Sequence, residues 1–268
     1  MYISNQNLRR SDTEYLFVFD MCALSADEIL LACGRAGLRA VSLHTAQLAA
    51  YEPTALQNVY RVAFDTHTDT LLLFVRASTG DYYQLVSLRR NASEWLEVQR
   101  LDTRIHHLSF YIFNFAVCDS RVLLGDGGRN MLHVFAVSAE HTLRDTGSVT
   151  LQSEIYRVAC IRRDGDTLVA FSNDTSVSLL RLTSLPLRLV PLASFDLTDP
   201  RLLLFREDLL LVADWNKAIV SFRASDNALT ERRVLLDAQA GVNVHAWALA
   251  GDRLVLWDLW DLLVYAFT

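Results

Sequence analysis

Two short stretches of the chain set a basic residue beside an aromatic one: Asn58-Val-Tyr60-Arg61-Val62-Ala63 and Glu154-Ile-Tyr156-Arg157-Val158-Ala159, ninety-six positions apart. A guanidinium fork matches a carboxylate or phosphate bidentately, and a tyrosine offers a flat apolar face with a hydroxyl at its edge. Brought to one point, such groups would recognise a small anion or an acidic segment of a protein or peptide. Turned the other way, the same arginines would serve as ion-pair partners of carboxylates, because a buried arginine is normally paired. Which of the two holds depends on the elements that carry them.

Other chemistry is thin. His106 and His107 are adjacent, and neighbours on a strand face opposite sides, so they cannot share one metal. The four cysteines, Cys22, Cys33, Cys118 and Cys160, show no C-x-x-C spacing and sit in apolar runs; free thiols in a reducing compartment are expected. Asp126, Asp214 and Asp258 follow apolar runs at turn positions, where an aspartate bonds its own backbone two residues on. No nucleophile elbow, phosphate-binding glycine loop or zinc spacing occurs.

The positioning elements come from a repeat. An aspartate recurs just before an apolar run at Asp27, Asp69, Asp119, Asp166, Asp208 and Asp252, with spacings of 42, 50, 47, 42 and 44 and a mean of 45 residues. That is the length of a four-stranded propeller blade. Each unit reads as an apolar run, the aspartate turn, a second apolar run, a hairpin turn, an alternating strand and a more polar last strand. In the fifth unit these are Arg201–Phe205, Leu209–Val212, Ala218–Phe222 and Thr230–Leu236. No segment shows a helical period of comparable length. The expected fold is therefore all-β, a six-bladed β-propeller of four-stranded antiparallel blades forming one domain over residues 1–268. The blades fall at 15–52, 58–102, 107–152, 154–198, 200–238 and 242–268. The sixth stops after three strands, so Met1–Arg10 is expected to supply its outer strand and close the ring.

Counting back seven to nine positions from the repeat aspartate selects Arg61, Arg157, Arg201 and His245, with Tyr60 and Tyr156 beside two of them. First strands of a propeller line its channel, so these six are the candidate ligand-binding residues, at the channel mouth. Trp215, Trp247, Trp257 and Trp260 cluster late and are expected to pack in the core, some of them between blades five and six.

With 268 residues, 51% of them hydrophobic, and a formal charge of −6, the chain can bury a full core but cannot hold nucleic acid or an anionic membrane by bulk charge. No apolar run approaches the length of a membrane span. A cytoplasmic monomer is expected.

Leu210-Leu-Val-Ala-Asp214-Trp215-Asn216-Lys-Ala-Ile-Val-Ser-Phe222 resembles the core of an NHL-type repeat, in which a strand ends in Ala-Asp, an Asn follows, and the returning strand ends in an aromatic. Val122–Asp126 and Leu254–Asp258 keep the aspartate, and Asn173 stands in for it in the fourth unit. The resemblance covers about thirteen residues well and points to six-bladed propellers of the NHL and lactonase kind. That group contains protein- and RNA-binding modules and metal-dependent hydrolases, so it implies two readings. The leading one is a non-enzymatic scaffold that binds a protein, a peptide or a small anion and needs no cofactor. The alternative is a lactonase- or esterase-like hydrolase with Ca2+ or another divalent ion in the channel, for which Asn58, Glu154 and Asp199, just ahead of first strands, are the implied ligands.

Overall fold

The structure is a computed structural model, and it describes residues 17–45, 48–50, 56–78, 82–91, 94–103, 112–184, 186–214, 218–225, 228–236, 244–258 and 261–267. Met1–Arg10, His106, His107, Trp215 and Trp260 lie outside these residues. The described residues contain no helix and form twenty-three strands in six antiparallel sheets. The fold is a six-bladed β-propeller.

Blade 1 comprises β1 (Asp20–Ala23), β2 (Glu28–Ala32), β3 (Leu38–Ser42) and β4 (Leu48–Ala50); blade 2 comprises β5 (Val59–Asp65), β6 (Thr70–Arg76), β7 (Tyr83–Asn91) and β8 (Glu94–Asp102). Blade 3 holds β9 (Ile112–Cys118), β10 (Arg121–Asp126), β11 (Met131–Val137) and β12 (Leu143–Thr150), and blade 4 holds β13 (Arg157–Arg163), β14 (Asp166–Ser172), β15 (Ser176–Ser184) and β16 (Leu187–Asp196). Blade 5 has β17 (Pro200–Arg206), β18 (Leu209–Asp214), β19 (Ile219–Ser225) and β20 (Ala228–Leu236). Blade 6 has three strands among the described residues, β21 (Val244–Ala250), β22 (Arg253–Asp258) and β23 (Asp261–Ala266).

The burial gradient within a blade follows from its composition. Second strands are rich in Leu, Val and Ile and are buried through their middles, as in Leu71-Leu-Leu-Phe-Val75. Fourth strands alternate with solvent, as β16 does in Leu187-Arg-Leu-Val-Pro-Leu-Ala-Ser-Phe-Asp196. The third-to-fourth pairing carries a register shift in blades 2, 3, 4 and 5, a bulge that increases the local twist of the outer strand. Five of the repeat aspartates occupy the turn between first and second strands and Asp166 opens its second strand, and in three blades the aspartate carbonyl accepts an N–H from the residue just past the third strand or near its end: Leu43 to Asp27, Ala224 to Asp208 and Phe267 to Asp252.

Chain contacts define two compact units, one of Met1–Phe64, Asp69–Ile105 and Val242–Thr268, the other of Asp65–Thr68 and His106–Gly241. In the first, one apolar cluster joins blades 6 and 1 through Ile29, Leu31, Ala248, Val255 and Trp257, and another joins blades 1 and 2 through Leu30, Leu38, Leu71, Leu73 and Trp95. Arg253 of blade 6 donates to the Ala26 carbonyl and, at 2.7 Å, to the Asp27 carboxylate of blade 1, and this guanidinium holds the Asp27 carboxyl below its ordinary range. In the second unit, blades 3 and 4 share Leu123, Leu132, Val158 and Val169, and blades 4 and 5 share Ala170, Leu179, Leu210 and Phe222. Trp247 and Trp257 are buried, and Trp257 packs in the cluster that joins blades 6 and 1, not between blades 5 and 6.

Glycines mark where backbone crowds backbone. Gly37 has φ +72°, and a Cβ there would stand 2.6 Å from the Leu56 carbonyl oxygen, whereas at Gly165, φ +88°, a Cβ would meet nothing within 4 Å. Gly165→Ala should cost about 1 kcal/mol, the strain of a positive φ alone, and Gly37→Ala roughly 3 kcal/mol, since the carbonyl must also move. Denaturant midpoints check this; equal losses would contradict the close approach at Gly37.

Candidate functional site

The start of β5 is built from three directions. Gly34 and Val59 form a bridge, with Gly34 N donating to the Val59 carbonyl at 2.7 Å and Val59 N returning to the Gly34 carbonyl at 3.0 Å. This fixes blade 1 against blade 2 and brings Phe19 over Gly34, where a Cβ would lie 2.7 Å from the ring. Asn58, at φ 62°, makes the turn into the strand, and its carbonyl accepts from Arg76 N.

On this frame the Arg61 side chain folds back onto backbone. Its Nη1 donates to the Phe19 carbonyl at 2.8 Å and to the Tyr60 carbonyl at 2.9 Å. Asp20 accepts from Val62 N at 3.1 Å. Burial pulls the Arg61 guanidinium below its ordinary value, and the charges of Asp20 and Tyr83 oppose that pull. Around it runs a row of rings: Phe17 to Phe19 at 4.8 Å, Phe19 to Tyr60 at 4.7 Å, Tyr60 to Tyr83 edge-on at 5.8 Å, and Tyr83 stacked on Phe74 at 4.8 Å. The row begins at Phe17, 61% exposed, passes through the partly exposed Phe19, Tyr60 and Tyr83, and ends at the buried Phe74.

The second copy of the motif repeats the central contact. Arg157 Nη1 donates to the Tyr156 carbonyl at 3.0 Å, as Arg61 does to Tyr60. The tyrosine differs: Tyr156 donates its hydroxyl to Glu154 at 2.8 Å and lies 3.3 Å from Asp174, and these carboxylates push its phenol up to about 12. Arg201 grips Asp199 with two bonds of 2.7 Å, and Asp199, at φ 49°, donates its N–H to the Asp174 carbonyl. Tyr156, Glu154, Arg157, Asp199 and Arg201 thus gather where blades 4 and 5 begin.

His245, at the start of β21, has a buried Nε2 with no hydrogen-bond partner among the described residues, and burial lowers its pKa against the opposing charge of Asp258. Of the implied metal ligands, Asn58 belongs to the first unit, while Glu154 is engaged by Tyr156 and Asp199 by Arg201. Among the described residues no three His, Cys, Asp or Glu side chains surround a common point. Two of the turn residues bond local backbone with their side chains: Asp214 Oδ1 accepts from Ala218 N, four residues on, and Asn173 Oδ1 accepts from Thr175 N and Ser176 N, whereas Asp126 is buried with its carboxylate 3.8 Å from His133 Nε2.

Sequence reasoning did not find Phe17, Phe19 and Tyr83 as neighbours of Tyr60, or Asp20 beside Arg61. The aromatic residues are visible in the sequence, but their convergence depends on the registers of β1, β5 and β7 together.

No protein-family model matches the chain, and no curated protein matches it. Solved structures do. A protein from Lactobacillus plantarum superposes with a TM-score of 0.60 at 16% identity, over 90% of this chain and 79% of that one. The Cps50 (Swd1) β-propeller domain of Myceliophteria thermophila gives 0.58 at 12%, over 97% and 86%. U3-55K gives 0.57 at 12%, over 98% of each chain. Similarity at this level establishes the fold.

The Tyr156 contacts are measurable. A phenol whose folded pKa is raised contributes stability that is complete below about pH 10 and is lost as pH rises through about 12. The ultraviolet difference titration of wild type against Tyr156→Phe should isolate one phenol with its midpoint near 12. A midpoint at the ordinary value of about 10 would remove the Glu154 and Asp174 contacts.

Proposed function

We propose that this protein is a monomeric, cytoplasmic, non-enzymatic interaction propeller that acts as one domain and binds a protein or peptide where its first strands begin. The observation that carries this reading is the aromatic row from Phe17 to Phe74. Rings held by their neighbours offer large apolar area with little rotamer entropy left to lose, which is how binding surfaces concentrate their energy. Arg61 serves the surface by tying Phe19 and Tyr60 together through their carbonyls. In the second unit, Tyr156, Arg157 and Arg201 form the corresponding edge, which is polar and suited to a partner's charged or hydrogen-bonding groups. His245 begins the first strand of blade 6 and belongs to the same set.

Protein recognition is in keeping with one further structural neighbour, a nidogen/laminin complex, matched with a TM-score of 0.54 at 11% identity over 81% of this chain. The NHL-type kinship of Leu210–Phe222 is part of the same proposal, supported by the shared turn use of Asp214 and Asn173.

The test is selection from a displayed random-peptide library. Wild type should enrich peptides sharing an apolar or aromatic motif, and both Phe17→Ser and Tyr60→Ala should weaken a selected peptide at least tenfold. Phe17 is exposed, so its variant should melt with wild type. No shared motif, or undiminished binding by Phe17→Ser, would overturn the proposal.

A further inference from the structure

We propose that Arg253 is a salt-releasable latch between blades 6 and 1, clasping the Ala26–Asp27 turn and so holding β1 in place. The latch belongs to a pattern. At the end of the blades where first strands turn into second strands, an arginine of one blade reaches to the next, close to that blade's repeat aspartate. Arg121, the first residue of β10, donates Nη1 to Thr167 Oγ1 at 2.9 Å, beside Asp166. Arg163, the last residue of β13, donates Nη1 at 2.6 Å to the carbonyl of Ala224, whose own N–H donates to the Asp208 carbonyl. Arg253, the first residue of β22, donates Nη2 to the Ala26 carbonyl and, at 2.7 Å, to the Asp27 carboxylate. A guanidinium carries several N–H groups in a rigid fork, so it can meet a carbonyl and a carboxylate at once.

The contact between blades 6 and 1 differs from the other two in ways that make it the easier one to open. Its carboxylate acceptor faces solvent: the Asp27 side chain is 61% exposed, whereas Thr167 and Ala224 are buried. That acceptor is also charged, and dissolved ions screen an exposed ion pair far more than a buried bond to a hydroxyl or carbonyl. Blades 3, 4 and 5 follow one another along the chain, so a connecting segment holds their seams as well, whereas Arg253 and Asp27 stand 226 residues apart. A second exposed pair, Arg162 to Asp119 at 3.4 Å, joins blade 4 to blade 3, but there the buried Thr167 contact stands beside it. What the latch holds is set by packing. Val18 and Met21 share one apolar cluster with Ala246, Ala248 and Trp257 of blade 6, and a Cβ on Gly251 would lie 3.5 Å from that of Ala26. Val18 sits between Phe17 and Phe19 in sequence, so loosening this seam reaches the residues that begin the aromatic row.

The test is hydrogen–deuterium exchange of the full chain, read by mass spectrometry at low ionic strength and in about 1 M sodium chloride, where charges are screened beyond about 3 Å. In wild type, the amides of β1 and of the Asp27 turn should exchange about threefold faster in the high salt, the size expected of one exposed pair, while those of β13 and β14 should not respond. This comparison needs no variant to fold. Arg253→Met should exchange at the fast rate in both salts, and Asp27→Asn, which keeps the Ala26 carbonyl contact, should lose the salt dependence. A salt response equal in all blades, or one that persists in Arg253→Met, would overturn the latch.

Discussion

The structure depends on the double-sided burial of its second strands. Residues such as Ile29–Ala32, Leu71–Leu73, Val122–Leu124, Leu210–Val212 and Val255–Leu256 expose none of their surface. A strand in mid-sheet already spends its backbone bonds on both neighbours, so its two faces can be buried only by other blades. Each such leucine contributes about 2 kcal/mol relative to exposure, and a single blade would leave half of that gain unrealised. The repeat therefore cannot stop at one unit, which is the physical reason that the aspartate turn and its three apolar runs recur along the chain.

Much of the polar chemistry then falls at the ends of the blades. At the start of β5 and β13 the arginine of the Tyr-Arg motif folds onto the carbonyl of its own tyrosine, an arrangement made twice by two copies of one sequence. What differs is the neighbourhood. Blade 1 supplies Phe19 and Asp20 to the first copy and makes it aromatic; Glu154 and Asp174 make the second acidic and fix its tyrosine as a hydrogen-bond donor.

Much of the fold was legible in the sequence because spacing encodes it directly. The repeat aspartates mark the first hairpin of each blade, and the gradient from Leu71–Val75 to the alternating β16 follows from which strands meet solvent. Asn173 was readable as a substitute for aspartate because both side chains cap a turn in the same way. The site was legible only as a set of positions. Arg61 and Arg157 could be recognised as equivalent, but their direction could not, since a guanidinium chooses between a channel and a carbonyl according to what the neighbouring blade presents.

The central claim is that these arginines hold the first strands in place and leave recognition to the surface around them. Thermal melting of Arg61→Ala and Arg157→Ala, with and without inorganic phosphate, tests it most directly. Arg61→Ala should melt several degrees below wild type, because it loses two carbonyl contacts and strips Asp20 of its neighbouring positive charge, and phosphate should leave the wild-type transition unchanged. An Arg61→Ala protein as stable as wild type, together with phosphate stabilising wild type but not the variant, would contradict the account and make the motif an anion pocket.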